Sequence, residues 1–290
     1  MSAAVPKPDA MQSALDGKNL PSLPLVVRKL IAAVNAPNTE MRELAALIEQ
    51  DAGLAARMLR LANSPFYGLS GEVGSIQQAA VVLGFRTIAQ LAASIGLIQA
   101  IKVEHCEHFD MRQFWATSMR VAASARWLAL QRGMSGESAY LAGLLHDIGL
   151  PLAAATFPEA MERALADSQA TGQDLLALEQ AQLGFDHSAL SAKLMQIWNV
   201  PADLAEAIAR YRVPPIAAKE NMGDVLHIAW RVTITPAPEQ ILPAIADAVR
   251  ARMAITPATI TQILAELSKR TPEIDALIHT AGDTPRHEPN

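Results

Sequence analysis

Apolar residues recur every three to four positions along almost the whole chain, and alternating strand-like stretches are nearly absent. This pattern predicts an all-α protein. Asn38 or Thr39 is placed to cap a helix with Glu40 and Glu43 in its first turns and Met41, Leu44, Leu47 and Ile48 on one face. Asp51 is placed to cap the next helix, in which Leu54, Met58 and Leu61 form a stripe. Ser64-Pro65 ends it, because the residue before a proline avoids the helical region. Ser75 and Gln78 have capping-box spacing and open a helix over 76–83; Gly84 breaks it and the chain restarts over 87–101. Further helices are predicted over 114–130, 135–146, 171–183 and 187–198. Pro201 fits the first turn of a helix running to Arg210, and Pro214-Pro215 reads as a joint. Helices over 223–232, 239–253 and 257–267 follow, then a frayed polar tail from about Ala281.

Composition narrows the class. The chain has 290 residues, 51% of them hydrophobic, enough for a substantial core. Charged residues make up 18% and the net charge is −5, which argues against a dedicated nucleic-acid binder. A single cysteine, Cys106, excludes an internal disulfide and fits a reducing compartment. No signal-peptide-like segment stands at the start, and no run of about 18 apolar residues follows. The expectation is a soluble cytoplasmic protein with no membrane partner.

The residues with most chemical meaning lie in Leu144-Leu145-His146-Asp147-Ile148-Gly149, where an adjacent histidine and aspartate end an apolar helix and a glycine stops it. Such a pair can grip a hydrolytic metal if the fold brings further ligands to it. Beside it stands the plainer reading, in which both side chains hydrogen-bond neighbouring helices.

A longer set of segments gives the chain a family likeness. Leu20-Pro21-Ser22-Leu23-Pro24 is followed by Ile48-Glu49-Gln50-Asp51, by Arg57 through Asn63-Ser64, by Phe66-Tyr67-Gly68, and by Ser75-Ile76 through Leu83-Gly84. Phe114-Trp115, His146-Asp147 and Gly184-Phe185-Asp186-His187 continue it. In these the chain resembles the HDOD family, a regulatory branch of the HD-domain superfamily. The resemblance implies an N-terminal helical lobe packed on an HD-like helical bundle. It sets expected boundaries: a flexible tail over 1–19, the domain over 20–215 with its lobe over 20–105 and bundle over 106–215, additional C-terminal helices over 216–280, and a tail over 281–290.

The same resemblance bears on the metal. HD hydrolases take a histidine from an early helix, the His-Asp pair, and an aspartate from a later helix. Thr117 stands at the first position here, and Trp230 aligns with the last. Leu150 replaces a frequent lysine. Where the HD-GYP branch, which hydrolyses cyclic-di-GMP, has its Gly-Tyr-Pro signature, this chain has Tyr211-Arg212-Val213-Pro214-Pro215. His187 matches a metal-binding histidine of that branch. His146, Asp147 and His187 are therefore the surviving vestigial positions, and any metal would rest on those three, with His227 or Asp186 as a fourth. The implied protein is non-catalytic, needs no cofactor, and acts in bacterial signal transduction by binding other signalling proteins: a kinase, a response regulator or a cyclic-di-GMP turnover protein. The alternatives are a metal-dependent phosphohydrolase acting on a nucleotide or cyclic dinucleotide, and a nucleotide-sensing module that does not hydrolyse. Trp230 is expected to fill the vacated metal pocket.

Other groups have plainer roles open to them. Arg57, Arg60 and Arg86, with the loop aromatics Phe66 and Tyr67, form a possible partner surface; the plainer reading is a solvated face and a plugged seam between lobes. His105-Cys106-Glu107-His108 lacks a second ligand pair and reads as a polar connection between lobes.

Overall fold

The computed structural model describes residues 10–15, 25–26, 29–30, 40–63, 73–197, 200–216 and 219–282. Its elements are α1 (Ala10–Leu15), α2 (Met41–Glu49), α3 (Ala52–Ala62), α4 (Ile76–Leu83), α5 (Phe85–Ala100), α6 (Met111–Gln131), α7 (Gly136–Leu145), α8 (Gly149–Thr156), α9 (Pro158–Thr171) and α10 (Leu175–Leu183). They continue with α11 (His187–Ile197), α12 (Ala202–Arg210), α13 (Met222–Ile234), α14 (Pro238–Ala244), α15 (Asp247–Arg252) and α16 (Pro257–Gly282). The fold class is all-α, and among the described residues there is no strand.

Side-chain caps open several of these helices. Asp51 Oδ1 accepts from Leu54 N–H at 3.0 Å. Ser75 Oγ accepts from Gln78 N–H at 3.1 Å, and Gln78 Oε1 reaches back to Gly74 N–H rather than to Ser75 itself. Asp110 accepts from both Arg112 and Gln113 N–H to open α6. Glu40, not Asn38 or Thr39, is the residue flanking α2; those two lie outside the described residues, as do Ser64 and Pro65.

Several expectations are corrected. The span 149–171, which the periodic reading passed over, holds α8 and α9, with Pro158 starting the latter and Gly172 ending it in the left-handed region. The helix expected over 171–183 begins only at Leu175. The one expected over 239–253 is two helices, because Pro243 and the extended Ile245 interrupt it. The final helix runs past Leu267 to Gly282 through Pro272. Part of the expected N-terminal tail is α1, whose Ala14 and Leu15 are buried and which packs on α8.

The N-terminal lobe consists of α2 to α5, packed among themselves. Its last helix, α5, lies against α7 of the bundle. In the bundle α6 is the axial element, with α7, α13 and α16 packed around it. Helix α13 is thus a wall of the core and not an appendage, since nine of its residues are buried. Arg252 ties α15 to it through a bidentate pair with the fully buried Asp224, at 3.0 and 2.6 Å.

Two glycines set how closely helices meet near the His-Asp turn. A Cβ on Gly143 would lie 2.4 Å from Ala122 Cα of α6. One on Gly149 would lie 2.1 Å from the His187 carbonyl oxygen of α11. Gly149 therefore starts α8 at a backbone crossing; helix α7 has already ended at Leu145.

Candidate functional site: a guanidinium between the vestigial ligands

His146 and Asp147 fall in the turn between α7 and α8. His146 is fully buried, and its Nδ1 lies 2.7 Å from the Gly143 carbonyl oxygen. A carbonyl only accepts, so Nδ1 carries the proton. Burial lowers the pKa of this ring against the pull of Asp147 and keeps it neutral. Its Nε2 faces Asp147 Oδ2 at 3.3 Å and has no hydrogen-bond partner among the described residues.

Asp147 gathers the groups around it. Tyr211 donates its hydroxyl to Oδ1 at 2.6 Å. Arg212 donates from Nη2 to Oδ1 at 3.2 Å and to Oδ2 at 3.1 Å, and from Nε to the Tyr211 hydroxyl oxygen at 2.7 Å. His187 Nε2 stands 3.5 Å from Oδ1. Burial alone would raise the Asp147 pKa, but His146, Arg212 and His187 outweigh it and hold the carboxyl well below the usual range. Burial likewise opposes the Arg212 charge, and Asp147 with Tyr211 more than restores it.

His187, at the first position of α11, is held by Glu179 of α10. Both are buried, and Glu179 accepts from the His187 backbone N–H at 2.8 Å and from Nδ1–H at 2.7 Å. Burial disfavours a charged ring; Asp147 and Glu179 favour it and raise its pKa. Arg212 Nη2 also stands 2.9 Å from Nε2, a nitrogen that accepts from it when the ring is neutral.

The three positions expected as ligands are thus brought together, but around a guanidinium. The Arg212 side chain lies within 3.2 Å of Asp147 and 2.9 Å of His187 Nε2, so a fixed cation already stands against two of the three positions a metal would need, His146 Nε2 being the third. Among the described residues no group of three or more His, Cys, Asp or Glu side chains is arranged to hold a metal. The donor set does not fit the metal of the HD hydrolases.

Trp230 is at the site one ring removed from His146. Tyr211 makes edge contacts with both, at 5.3 Å to His146 and 5.4 Å to Trp230. Arg212 stacks 4.9 Å from the Trp230 ring centre and Arg231 4.2 Å from it. Tyr211, rather than Trp230, is the bulky group against His146. Thr117 lines an open cleft beside His146 and Asp147, together with Leu150.

The proposed fourth ligands are engaged elsewhere. His227 donates through Nδ1 to the Tyr211 carbonyl at 2.6 Å and accepts at Nε2 from Ala246 N–H at 3.0 Å. Asp186 caps α11 by accepting from Ala189 N–H at 2.8 Å. His108 pairs with Glu162 at 2.5 Å, and burial raises the Cys106 thiol to about 11, which leaves it an inert core group. Arg57 and Arg60 lie on α3, Arg57 half-buried and Arg60 exposed. Phe66 and Tyr67, and the Arg86 side chain, lie outside the described residues.

A family model for the HDOD domain matches residues 20–214. The chain belongs to the HDOD domain family. An HDOD domain protein of unknown function from Geobacter sulfurreducens superposes with a TM-score of 0.69 at 21% identity, covering 95% of this chain and 99% of that one. A candidate phosphohydrolase from Shewanella amazonensis SB2B gives 0.70 at 24% identity, covering 93% and 98%. At these identities the likeness is one of fold. An uncharacterised protein of Treponema pallidum is 26% identical over 214 residues, 73% of this chain; the chain spans 41% of that relative's length. Among the described residues no helix of this HDOD protein is long and apolar enough to cross a membrane.

Glu179, Tyr211 and Arg212 carry much of the site and were not singled out as its members from sequence. Only the position of Tyr211-Arg212, at the place of the HD-GYP signature, pointed toward them.

Proposed function

We propose that this HDOD protein is a non-catalytic regulator that acts by binding other signalling proteins, with a kinase, a response regulator or a cyclic-di-GMP turnover protein as the partner class. The observation that carries this reading is the Arg212 guanidinium, seated between Asp147 and His187 where a hydrolytic metal would have to lie. A metal-activated hydroxide needs open coordination positions beside the substrate. The arginine stands against Asp147 and His187, two of the three groups that would hold such a metal, and it cannot be deprotonated to serve as a base. What remains is a rigid helical frame whose polar centre joins α7, α11 and the segment following α12. Its partners would meet its outer faces, of which α3 with Arg57 and Arg60 is one.

The test is hydrolysis by the full chain supplied with Mn²⁺, Fe²⁺ or Zn²⁺, against nucleotides, cyclic dinucleotides and model phosphodiesters. No turnover above the metal-only control is expected. Turnover that Asp147→Ala removes would replace this reading with a phosphohydrolase.

A further inference from the structure

The segment after Tyr211-Arg212 carries an outer surface that the polar centre itself does not use. Val213-Pro214-Pro215-Ile216 is a run of four apolar residues, with Val213 84% and Ile216 86% exposed. Exposed apolar runs of this kind mark an interaction site or an aggregation liability. The run is held at both ends. Arg212, just before it, is bonded through its side chain to Asp147, and the Ile216 carbonyl accepts from Arg252 Nη1 at 3.0 Å. Arg252 also grips the buried Asp224. The run is thus a fixed ridge, and it loses little freedom when a partner covers it.

Pro214 and Pro215 also form one wall of a groove of about 510 Å³ between α12, the start of α13 and the turn at Met134. A cavity of about 150 Å³ holds a benzene ring, so the groove admits more than one large side chain. Met134 and Met222 line it, flexible thioethers that re-pack around varied shapes. Its charge is acidic: Asp203, Glu206 and Glu220 line it against one guanidinium, Arg210. Pairing within this set is weak. Arg210 stands 3.5 Å from Glu206 with both side chains more than half exposed, and Arg132 reaches Glu220 only at 4.0 Å. Asp203 is exposed and has no ion pair among the described residues. The first amides of α13 do not turn the groove toward anions, because Asn221 Oδ1 already accepts from Gly223 and Asp224 N–H.

The chemistry selects the occupant. Apolar side chains would cover the ridge, and cations would answer the carboxylates. A second copy of the chain answers poorly, since a two-fold contact through this face sets Asp203 and Glu206 against themselves. The same groups repel an anionic membrane. We propose that the ridge over 213–216 and the adjoining groove dock an amphipathic segment of a protein partner. Its apolar side chains lie on the ridge and the methionines, and its lysines or arginines face Asp203, Glu206 and Glu220. This names the docking face of the regulatory reading and rests on that reading.

The experiment titrates fluorescent peptides of about 18 residues, long enough to form a helix, into the full chain and follows anisotropy. One peptide has leucine on one face and lysine along its edges. In a second every lysine is glutamate, and in a third every leucine is serine. The leucine-lysine peptide is expected to saturate with a Kd below about 100 μM and to bind at least about tenfold more tightly than either of the others. Val213→Ser with Ile216→Ser, which leaves the charge unchanged, is expected to weaken it about tenfold, as is Asp203→Lys with Glu206→Lys. Asp167→Lys, on α9, is expected to leave it unchanged. All the altered positions are exposed, so the melts are expected to stay cooperative; if one pair fails to fold, the other decides. Equal binding of the three peptides, full binding by a folded ridge or groove variant, or equal weakening by Asp167→Lys would each overturn the proposal. So would a dimer in sedimentation that Val213→Ser with Ile216→Ser dissolves, or ridge-dependent binding to phosphatidylcholine vesicles, since the ridge would then serve a second copy or a membrane. None of these outcomes touches the regulatory reading, which fails instead on metal-dependent turnover.

Discussion

Arg212 and Asp147, 65 positions apart in sequence, meet in a part-buried ion pair with Nη2 3.2 and 3.1 Å from the two carboxylate oxygens. The pair is braced on the arginine side by the Trp230 and Tyr211 rings and on the aspartate side by the Tyr211 hydroxyl. Removing one member of such a pair strands the other charge in a low-dielectric setting. Arg212→Ala is expected to destabilise the protein by about 3 kcal/mol in denaturant titrations. Adding Asp147→Ala is expected to cost much less than the sum of the single changes. Additive losses would mean that the two side chains are not coupled.

Glu179 holds His187 with both oxygens while itself fully buried. In Glu179→Gln one acceptor becomes an amide donor, which must face either the backbone N–H or Nδ1–H of His187. A loss of about 1–3 kcal/mol is expected, together with a shift of the His187 ring ¹⁵N signals toward the other tautomer. An unchanged melt and unchanged signals would show that Glu179 does not orient the ring.

The close crossings at Gly143 and Gly149 leave no room for a methyl group. Because the obstacles are backbone atoms, the helices themselves would have to part. Gly143→Ala and Gly149→Ala are each expected to cost about 3 kcal/mol. Thermal melts check this, and a change below about 0.5 kcal/mol would contradict the packing at either crossing.

Acid sensitivity follows from three groups. Burial lowers the pKa of His146 and of His227, so the unfolded chain takes up their protons first. Their contribution is present above the unfolded value of about 6.5 and is lost as pH falls below it. Asp147, held low by His146, Arg212 and His187 despite burial, contributes above about 4 and loses that contribution as pH falls through its depressed folded value. Stability should therefore decline in two stages, below about pH 6.5 and again below about 4. His227→Gln should weaken the first stage, and a flat profile between pH 7 and 5 would contradict the burial of these rings.

What the sequence disclosed was local. Asp51 and Ser75 each act within three residues of themselves, and both cap the helices that their spacing indicates. Helices α8 and α9 were not among those predicted: Gly149 read as a helix stop, while here it opens one helix at a crossing and Pro158 occupies the first turn of the next. The site shows the same division. His146, Asp147 and His187 were visible through the family likeness. The partners that give them their present character come from residues 8 to 65 positions away, and no periodicity encodes such distances. Tyr211 reads as an ordinary tyrosine until the fold sets its hydroxyl on Asp147 and its ring between His146 and Trp230.

The tethered Arg212 guanidinium stands between Asp147 and His187, where a hydrolytic metal would lie. The most direct test of this placement is the metal content of the full chain purified without chelator, measured by plasma mass spectrometry beside Arg212→Ala. The expected result for the unaltered protein is iron, manganese and zinc each far below one per chain, even after incubation with excess metal and desalting. Stoichiometric metal in the unaltered protein, lost in Asp147→Ala, would contradict it.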